Sequence, residues 1–99
     1  MKEDMTYELS EDVDKFLRKK RKKDKRLFDR CMSKIDEIIE NPYRFNLLVA
    51  NGYWYKARVG KYRIIFKIIE DKRVCFILLI AHRDEVYETF NKLINSKLI

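Results

Sequence analysis

The segment YKARVGKYRIIFKI, residues 55–68, constrains the fold of this chain more than any other stretch. Apolar and polar residues alternate up to Gly60-Lys61 and then alternate again. A period of two residues is that of a β-strand with one buried face, and a two-residue interruption containing glycine is typical of a tight hairpin turn. The segment therefore predicts an antiparallel hairpin whose register is set by the position of the turn.

The register of this hairpin separates apolar side chains from cations. One side of the sheet, which we expect to pack on helices, pairs Val59 with Tyr62, Ala57 with Ile64 and Tyr55 with Phe66. The other side pairs Arg58 with Arg63, Lys56 with Ile65 and Trp54 with Lys67.

The two arginines that face each other on this hairpin need an explanation. Like charges directly opposed on a sheet are destabilising, by roughly a few tenths of a kcal/mol. Two guanidinium forks close together suit phosphate oxygens, so Arg58 and Arg63 indicate an anion-binding face. The alternative is a solvated edge whose charges keep the sheet soluble. Because strand directions alternate, His82 and Arg83 should gather at the same end of the sheet.

The N-terminal half predicts a strand followed by a helical hairpin. Residues 5–9 read as a short strand, and Ser10 is a plausible N-cap for a helix with an apolar stripe. We expect the bend between the helices at residues 22–24. The second helix has apolar residues three and four positions apart, and Asn41-Pro42 should end it.

The C-terminal half predicts three strands and a helix. Residues 43–52 form a connection ending at Asn51-Gly52, followed by strands at about 53–59, 62–69 and 73–81. The second turn is centred on Asp71-Lys72, and residues 85–97 have helical spacing. The predicted fold class is α+β with the order β-α-α-β-β-β-α: an N-terminal strand and helical hairpin packed on an antiparallel sheet, with a C-terminal helix.

Composition restricts the class of protein. Ninety-nine residues predict one domain, 1–99, and the net charge of +7 favours polyanions, with nucleic acid first and an acidic protein as the alternative. Cys31 and Cys75 lack metal-site spacing and read as small buried hydrophobes in a reducing compartment. No apolar run is long enough to span a membrane and the N-terminus is unlike a signal peptide, so we expect a cytoplasmic protein.

Two motifs resemble those of a known group of proteins. Y-K-A-R-V-G-K-Y-R-I-I-F, followed after one strand by H-R-D-E-V-Y, is similar to the RelE/ParE superfamily of bacterial and archaeal toxins. The element order and the Y-x-L-S-E-D-V start leading into a helical hairpin agree with this resemblance, which covers nearly the whole chain.

The resemblance implies an activity and its partners. RelE-like members are ribosome-dependent endoribonucleases that cut mRNA in the ribosomal A site without a metal or cofactor. The 2′-hydroxyl attacks the adjacent phosphate and leaves a 2′,3′-cyclic phosphate and a 5′-hydroxyl. A cognate, RelB-like antitoxin neutralises the toxin. The complex commonly represses its own operon, so DNA would be contacted only through the antitoxin complex, and no membrane is involved.

The resemblance also implies site residues, carried over one position at a time. Lys56 and Arg58 match two basic positions before the turn, where RelE has two lysines. An arginine does not release a proton easily, so Lys56 would be the general base. Arg63 would grip the scissile phosphate, and Tyr87 would orient the nucleotide by stacking or hydrogen bonding. The candidate catalytic residues are Lys56, Arg58, Arg63, His82, Arg83 and Tyr87.

His82 and Arg83 have open alternatives. A histidine side chain titrates near neutral pH, which suits acid–base catalysis, and other ribosome-dependent members use a histidine in this region. His82 would otherwise serve as a polar cap at a strand end, and Tyr87 as a core residue of its helix. Arg83 aligns with a region of RelE that contains more than one arginine and one extra residue. Which of those arginines Arg83 replaces is therefore left open.

The run RKKRKKDKR, residues 18–26, is the other basic feature. It reads as a solvated helix face, or, by the resemblance, as a contact with ribosomal RNA through phosphates. Trp54 either stacks on a base or packs under a sheet edge. The candidate RNA-binding residues are Arg18, Lys19, Arg21, Lys22, Lys23, Lys25, Arg26, Trp54, Lys61 and Lys67.

Three functions compete at this stage. The first is the RelE-like mRNA endonuclease, a toxin of a toxin–antitoxin pair. The second is a ParE-like protein that inhibits DNA gyrase by binding and has no nuclease centre. The third is an inactive member that binds an antitoxin or nucleic acid. The cation cluster favours the nuclease, because a gyrase binder does not need it.

Overall fold

The computed structural model describes residues 5–48 and 53–96, which form a five-stranded sheet with helices on both faces. In chain order the strands are β1 Thr6–Leu9, β2 Asn46–Leu47, β3 Trp54–Val59, β4 Tyr62–Ile69 and β5 Val74–His82. The helices are α1 Glu11–Lys23, α2 Lys25–Glu40 and α3 Val86–Asn95, with short 3₁₀ turns at Pro42–Arg44 and Glu70–Lys72.

The sheet order is β1-β5-β4-β3-β2, and every neighbouring pair is antiparallel except β1 with β5. The α+β class and the order of helices and strands are therefore confirmed. Two features were not predicted: the parallel pairing of β1, and the two-residue strand β2 inside the expected connection. The Asn51-Gly52 turn lies outside the described residues.

A side-chain cap begins each of the two helices of the helical hairpin. The Ser10 hydroxyl oxygen accepts from the Val13 N–H at 3.1 Å and donates its own proton to the Leu78 carbonyl at 2.8 Å. Asp24 separates the helices, and its carboxylate accepts from the Leu27 N–H at 3.2 Å. These contacts satisfy backbone N–H groups that a helix start leaves unpaired. The predicted N-cap, bend and end of α2 are all confirmed.

The helical hairpin formed by α1 and α2 covers one face of the sheet, which is called here the hairpin face. The name hairpin turn is kept for the turn between β3 and β4. Its core consists of apolar residues of α1 and α2 packed on inward-facing residues of β3, β4 and β5. The β3–β4 register is the predicted one, with Val59 paired to Tyr62 and Arg58 to Arg63. Val59 and Ile64 belong to this core, as the alternation required.

The opposite face, called here the α3 face, is covered by α3. Its core contains Trp54, Ile65 and Phe90. The pairing of β4 with β5 shifts in register between Ile65 and Phe66. As a result, the consecutive residues Leu78 and Leu79 are both buried on this face. This β-bulge shifts the alternation of the rest of β5 by one residue.

Candidate functional site

The candidate site lies at the end of the sheet where the β3–β4 turn is found. Gly60 has a φ of +57°, a left-handed conformation that glycine adopts without steric cost. The backbone N–H of Arg83, just after β5, donates to the Lys61 carbonyl at 2.7 Å. Arg58, Arg63, His82 and Arg83 therefore do meet at one end of the sheet, as predicted from the strand directions.

Arg58 and Arg63 are directly opposed on the α3 face, and no carboxylate separates them. Arg63 is partly buried, and its Nη1 donates to the carbonyl oxygens of Gly60 at 3.0 Å and Tyr62 at 2.9 Å. These bonds hold one side of the guanidinium against the turn. Within residues 5–48 and 53–96 neither arginine forms an ion pair with a carboxylate, so both charges are available to an anion.

Lys56 and Tyr87 are brought together from β3 and α3. The Lys56 Nζ lies 5.9 Å from the centroid of the Tyr87 ring, a cation–π contact at the outer limit of useful distance. Tyr87 is 40% exposed, whereas its neighbour Val86 is fully buried in the α3 core. The alternative of a core tyrosine therefore does not hold, and the ring is accessible to a ligand beside the lysine.

His82 shares the end of the sheet but not the face. It pairs with Tyr62, and the two rings contact edge to face with centroids 5.7 Å apart. Tyr62 packs on Phe16 of α1, so His82 lies on the hairpin face. If side chains alternated between the two faces without interruption from Ile77 onward, His82 would lie on the α3 face beside Arg63. The bulge in β5 moves His82 to the hairpin face instead.

The His82 ring is anchored by the loop that follows β5. Its Nδ1 accepts from the Asp84 N–H at 3.1 Å, and Asp84 Oδ2 lies 3.5 Å from the same nitrogen. Both contacts involve Nδ1 and hold the ring against the loop. Arg83 is exposed, with its Nε 3.9 Å from Asp84 Oδ1.

Trp54 and Lys67 do not belong to this site. Trp54 is only 5% exposed, and its ring packs edge to face on Phe90 with centroids 5.6 Å apart. Lys67 Nζ lies 5.1 Å from the same ring, at the opposite end of the hairpin from the turn. The proposed base stacking by Trp54 is therefore corrected: the indole is buried against Phe90 in the α3 core.

The basic run divides between two surfaces. Four of its residues line a groove of about 920 Å³ between the helices and β1, with Leu17, Phe28 and Met32 on its floor; they are Arg18, Lys19, Arg21 and Lys22. Arg18 is paired with Asp14 at 3.1 Å, and Lys25 with Asp29 at 3.3 Å.

Arg26, the last residue of the run, instead lines a cleft with Lys61 at the hairpin turn. Arg30, one helical turn later, also lines this cleft. The sequence reasoning missed Arg30, although its spacing of four residues from Arg26 placed both on one face of α2. Lys23 is exposed at the end of α1.

The two thiols lie in the core. Burial raises the pKa of Cys31 and of Cys75 from 9.0 to about 11. A raised pKa disfavours the thiolate, which is the nucleophilic and metal-binding form. Within the described ranges no group of three or more His, Cys, Asp or Glu side chains is arranged to hold a metal ion. No helix of that part of the chain is long and apolar enough to cross a membrane.

The sequence of the chain matches a toxin family and an archaeal relative. Residues 7–87 match the sequence pattern of the family described as ParE toxin of type II toxin-antitoxin system, parDE. An uncharacterized protein of Methanosarcina mazei is 30% identical over 78 residues, covering 77% of this chain and 91% of that protein.

Solved toxin structures share the fold. An arginine mutant of the E. coli toxin RelE in the free state is 22% identical, with a TM-score of 0.75 over 97% of this chain and 100% of that one. The same mutant in complex with an antitoxin RelBc peptide is 25% identical, with a TM-score of 0.64 over 88% and 94%. Because the family pattern covers most of the chain, the protein belongs to the ParE toxin family of type II toxin–antitoxin systems, within the RelE/ParE superfamily.

Proposed function

We propose that this toxin is a ribosome-dependent, metal-independent endoribonuclease that cleaves mRNA in the A site. The observation that carries the proposal is the group of cations at the hairpin turn. Arg58 directly faces Arg63, and Lys56 lies beside the exposed Tyr87. None of these three cations is paired with a carboxylate within the described residues, so the group is suited to a phosphate rather than to a structural ion-pair network.

The chemistry requires a proton acceptor, charge stabilisation and a proton donor. The 2′-oxygen bonds to the adjacent phosphorus as its proton leaves, and the bond from phosphorus to the next 5′-oxygen breaks. The products are a 2′,3′-cyclic phosphate and a 5′-hydroxyl that has gained a proton. Arg58 and Arg63 stabilise the negative charge of the phosphorane. Lys56 takes the 2′-hydroxyl proton, which it can do only as the neutral amine, because an ammonium group has no acceptor.

Tyr87 and His82 have supporting roles in this scheme. Tyr87 stacks on or hydrogen-bonds the nucleotide whose 2′-hydroxyl reacts, since its half-exposed ring lies beside Lys56. His82 is the proposed donor to the 5′-oxygen, with Arg83 adjacent to it. The 2′-oxygen and the 5′-oxygen are both bonded to the reacting phosphorus, so Lys56 and His82 must reach the same phosphate. Because His82 lies on the hairpin face and Lys56 on the α3 face, this role requires the reacting phosphate to lie at the end of the sheet, between the two faces.

We further propose an antitoxin partner. The E. coli RelE mutant that resembles this chain is solved with an antitoxin RelBc peptide, which supports a RelB-like antitoxin for this toxin. DNA would be reached only through that complex. The proposed target is cytoplasmic, because mRNA and ribosomes are there.

The test is mRNA cleavage on programmed ribosomes, read by primer extension, with ribosome-free mRNA in parallel. We expect cuts inside the A-site codon only when ribosomes are present. Arg63→Ala should remove them, while Arg44→Ala, an exposed arginine paired with Glu37 away from the turn, should not. Absence of cleavage by the wild-type toxin would contradict the proposal.

Inhibition of DNA gyrase is the second candidate, because the matching family pattern is that of ParE. The same purified toxin should be added to a gyrase supercoiling assay. Inhibition there without cleavage on ribosomes would select the ParE-like function. Inactivity in both assays would identify a member that only binds its antitoxin or nucleic acid.

A further inference from the structure

Gly60 lies between two guanidinium groups that come from different elements. Its carbonyl accepts from Arg63 Nη1 of β4 at 3.0 Å. On another side, Arg30 of α2 packs so closely that a Cβ on Gly60 would lie 3.0 Å from Arg30 Nη1 and 3.1 Å from Nη2. The glycine thus leaves room for the Arg30 guanidinium beside the turn, a position from which a Cβ would displace this side chain by a small distance.

The charge of Arg30 is not compensated by the acids of its own helix. Asp29 is paired with Lys25 at 3.3 Å, and Glu37 with Lys34 at 3.2 Å. Within residues 5–48 and 53–96 no carboxylate lies within ion-pair distance of Arg30, and the residue is exposed. An exposed guanidinium held next to a second guanidinium raises the local positive potential, which favours a bound anion.

Two clefts meet at Arg30 and Gly60. One, of about 470 Å³, is also lined by Arg26 and Lys61, and by Asp24, whose carboxylate caps α2. The other, of about 350 Å³, is also lined by Arg58 and Lys34, and by the ion-paired carboxylates of Asp29 and Glu37. Cations outnumber carboxylates in both clefts. The cations of the helical hairpin are thereby continuous with those of the candidate site, and the path runs around the end of the sheet. A positively charged groove of this kind follows the backbone of a single strand.

We propose that Arg30 is a further RNA-positioning residue, which binds the backbone phosphate next to the one bound by Arg63 as the mRNA strand passes around the Gly60 turn. This inference rests on the proposed function. It gives the strand a path from Lys56 and Tyr87 on the α3 face to His82 on the hairpin face. Arg30 contacts the substrate without reaching the reacting atoms, so its effect should fall on binding.

The experiment measures binding of a short single-stranded RNA in which every 2′-hydroxyl is methylated. Such RNA cannot be cleaved, because the nucleophile is blocked, so binding is separated from chemistry. The dissociation constant is measured over a series of salt concentrations for wild type, Arg30→Ala, Arg30→Lys and Lys72→Ala. Lys72 is the matched control: it carries the same charge, is exposed, and lies in the Glu70–Lys72 turn at the other end of the sheet from Gly60.

We expect Arg30→Ala to weaken binding and to reduce the salt slope by about 0.7, the value for one phosphate contact of a single strand. Arg30→Lys should keep the slope, since the charge remains, but bind more weakly than wild type because the bidentate fork is lost. In the ribosome assay Arg30→Ala should raise the toxin concentration needed for half-maximal cleavage more than it lowers the maximal rate. Far-UV circular dichroism melts check that the variants are folded.

The outcomes separate this inference from the proposed function. Wild-type cleavage on ribosomes with an Arg30→Ala slope equal to that of Lys72→Ala would overturn the role of Arg30 and leave the nuclease intact. A slope loss without any cleavage would support the phosphate contact and contradict the nuclease. The mRNA path is also overturned if wild type does not bind the RNA, or if Arg30→Ala weakens sedimentation of the toxin with mRNA-free ribosomes but not binding of the RNA.

Discussion

At the scale of single residues, Arg63 combines a structural contact with the proposed chemical role. Its guanidinium donates to two carbonyls of the turn and leaves its remaining N–H groups for a ligand. Hydrogen bonds in a folded protein contribute about 1 kcal/mol each, and somewhat more when the donor is charged, whereas a cation positioned at a developing phosphorane lowers a barrier by several kcal/mol. The loss of this side chain should therefore affect activity far more than stability.

We predict that Arg63→Ala reduces the cleavage rate on ribosomes by about 100-fold to 1000-fold. The free energy of unfolding should fall by about 2 kcal/mol, because two partly buried hydrogen bonds from one guanidinium nitrogen are lost. Single-turnover cleavage and urea unfolding measure the two quantities. A fully active Arg63→Ala toxin would show that the phosphate lies elsewhere.

The buried thiols give a prediction for pH dependence. The pKa of Cys75 is raised from 9.0 to about 11 by burial, so the folded protein prefers the neutral thiol. The contribution of the neutral Cys75 thiol to the free energy of unfolding is fully present below pH 9 and is lost as the pH rises through about 11. At about pH 10.5 the loss is about 2 kcal/mol for each such thiol.

The check is urea unfolding of wild type and Cys75→Val at about pH 8 and about pH 10.5 under reducing conditions. Other groups also titrate in this range, but they are common to both proteins. The variant should lose about 2 kcal/mol less than wild type between the two pH values. Identical losses would mean that Cys75 is not the titrating group.

At the scale of elements, Ser10 couples the start of α1 to the centre of the sheet. Its hydroxyl caps the helix through the Val13 N–H and also donates to the carbonyl of Leu78, which lies at the bulge of β5. Within residues 5–48 and 53–96 the side chain of Asp24, the cap of α2, makes only the local hydrogen bond to Leu27. The two caps are therefore a matched pair in which one has an additional long-range bond.

We predict that Ser10→Ala lowers the free energy of unfolding by about 2 kcal/mol and Asp24→Ala by about 1 kcal/mol. The difference is the hydrogen bond to Leu78, whose carbonyl would be left without this donor. Urea unfolding at neutral pH measures both values. Equal losses in the two variants would show that the bond between α1 and β5 contributes nothing to stability.

At the scale of the whole molecule, the cations behind the net charge of +7 differ in whether they are ion-paired. Some cations of the basic run are paired within their helix, as Arg18 is with Asp14, while others border the groove or the hairpin turn. Only cations that meet phosphates release counterions, so the salt dependence of binding distinguishes a docking surface from a solubilising one.

We predict that replacing Arg21, Lys22 and Lys23 together by alanine weakens ribosome binding and lowers its salt slope by about 2 to 3. The control replaces Arg44, Lys72 and Lys92, which are also exposed and remove the same total charge. Sedimentation of the toxin with ribosomes at several salt concentrations gives the slopes. If both triple variants change the slope equally, the run serves only the overall charge.

The sequence by itself determined the family, the order of the helices and of every strand except β2, and the register of the β3–β4 hairpin. Side-chain alternation and turn chemistry are local, so Arg58 could be placed opposite Arg63 without coordinates. Only the tertiary structure decided which face His82 occupies, because the bulge in β5 arises from its pairing with β4. It also decided the contact of Arg30 with Gly60 and the burial of Trp54 under Phe90. These contacts join residues distant in the chain, and local periodicity carries no information about how distant segments pack.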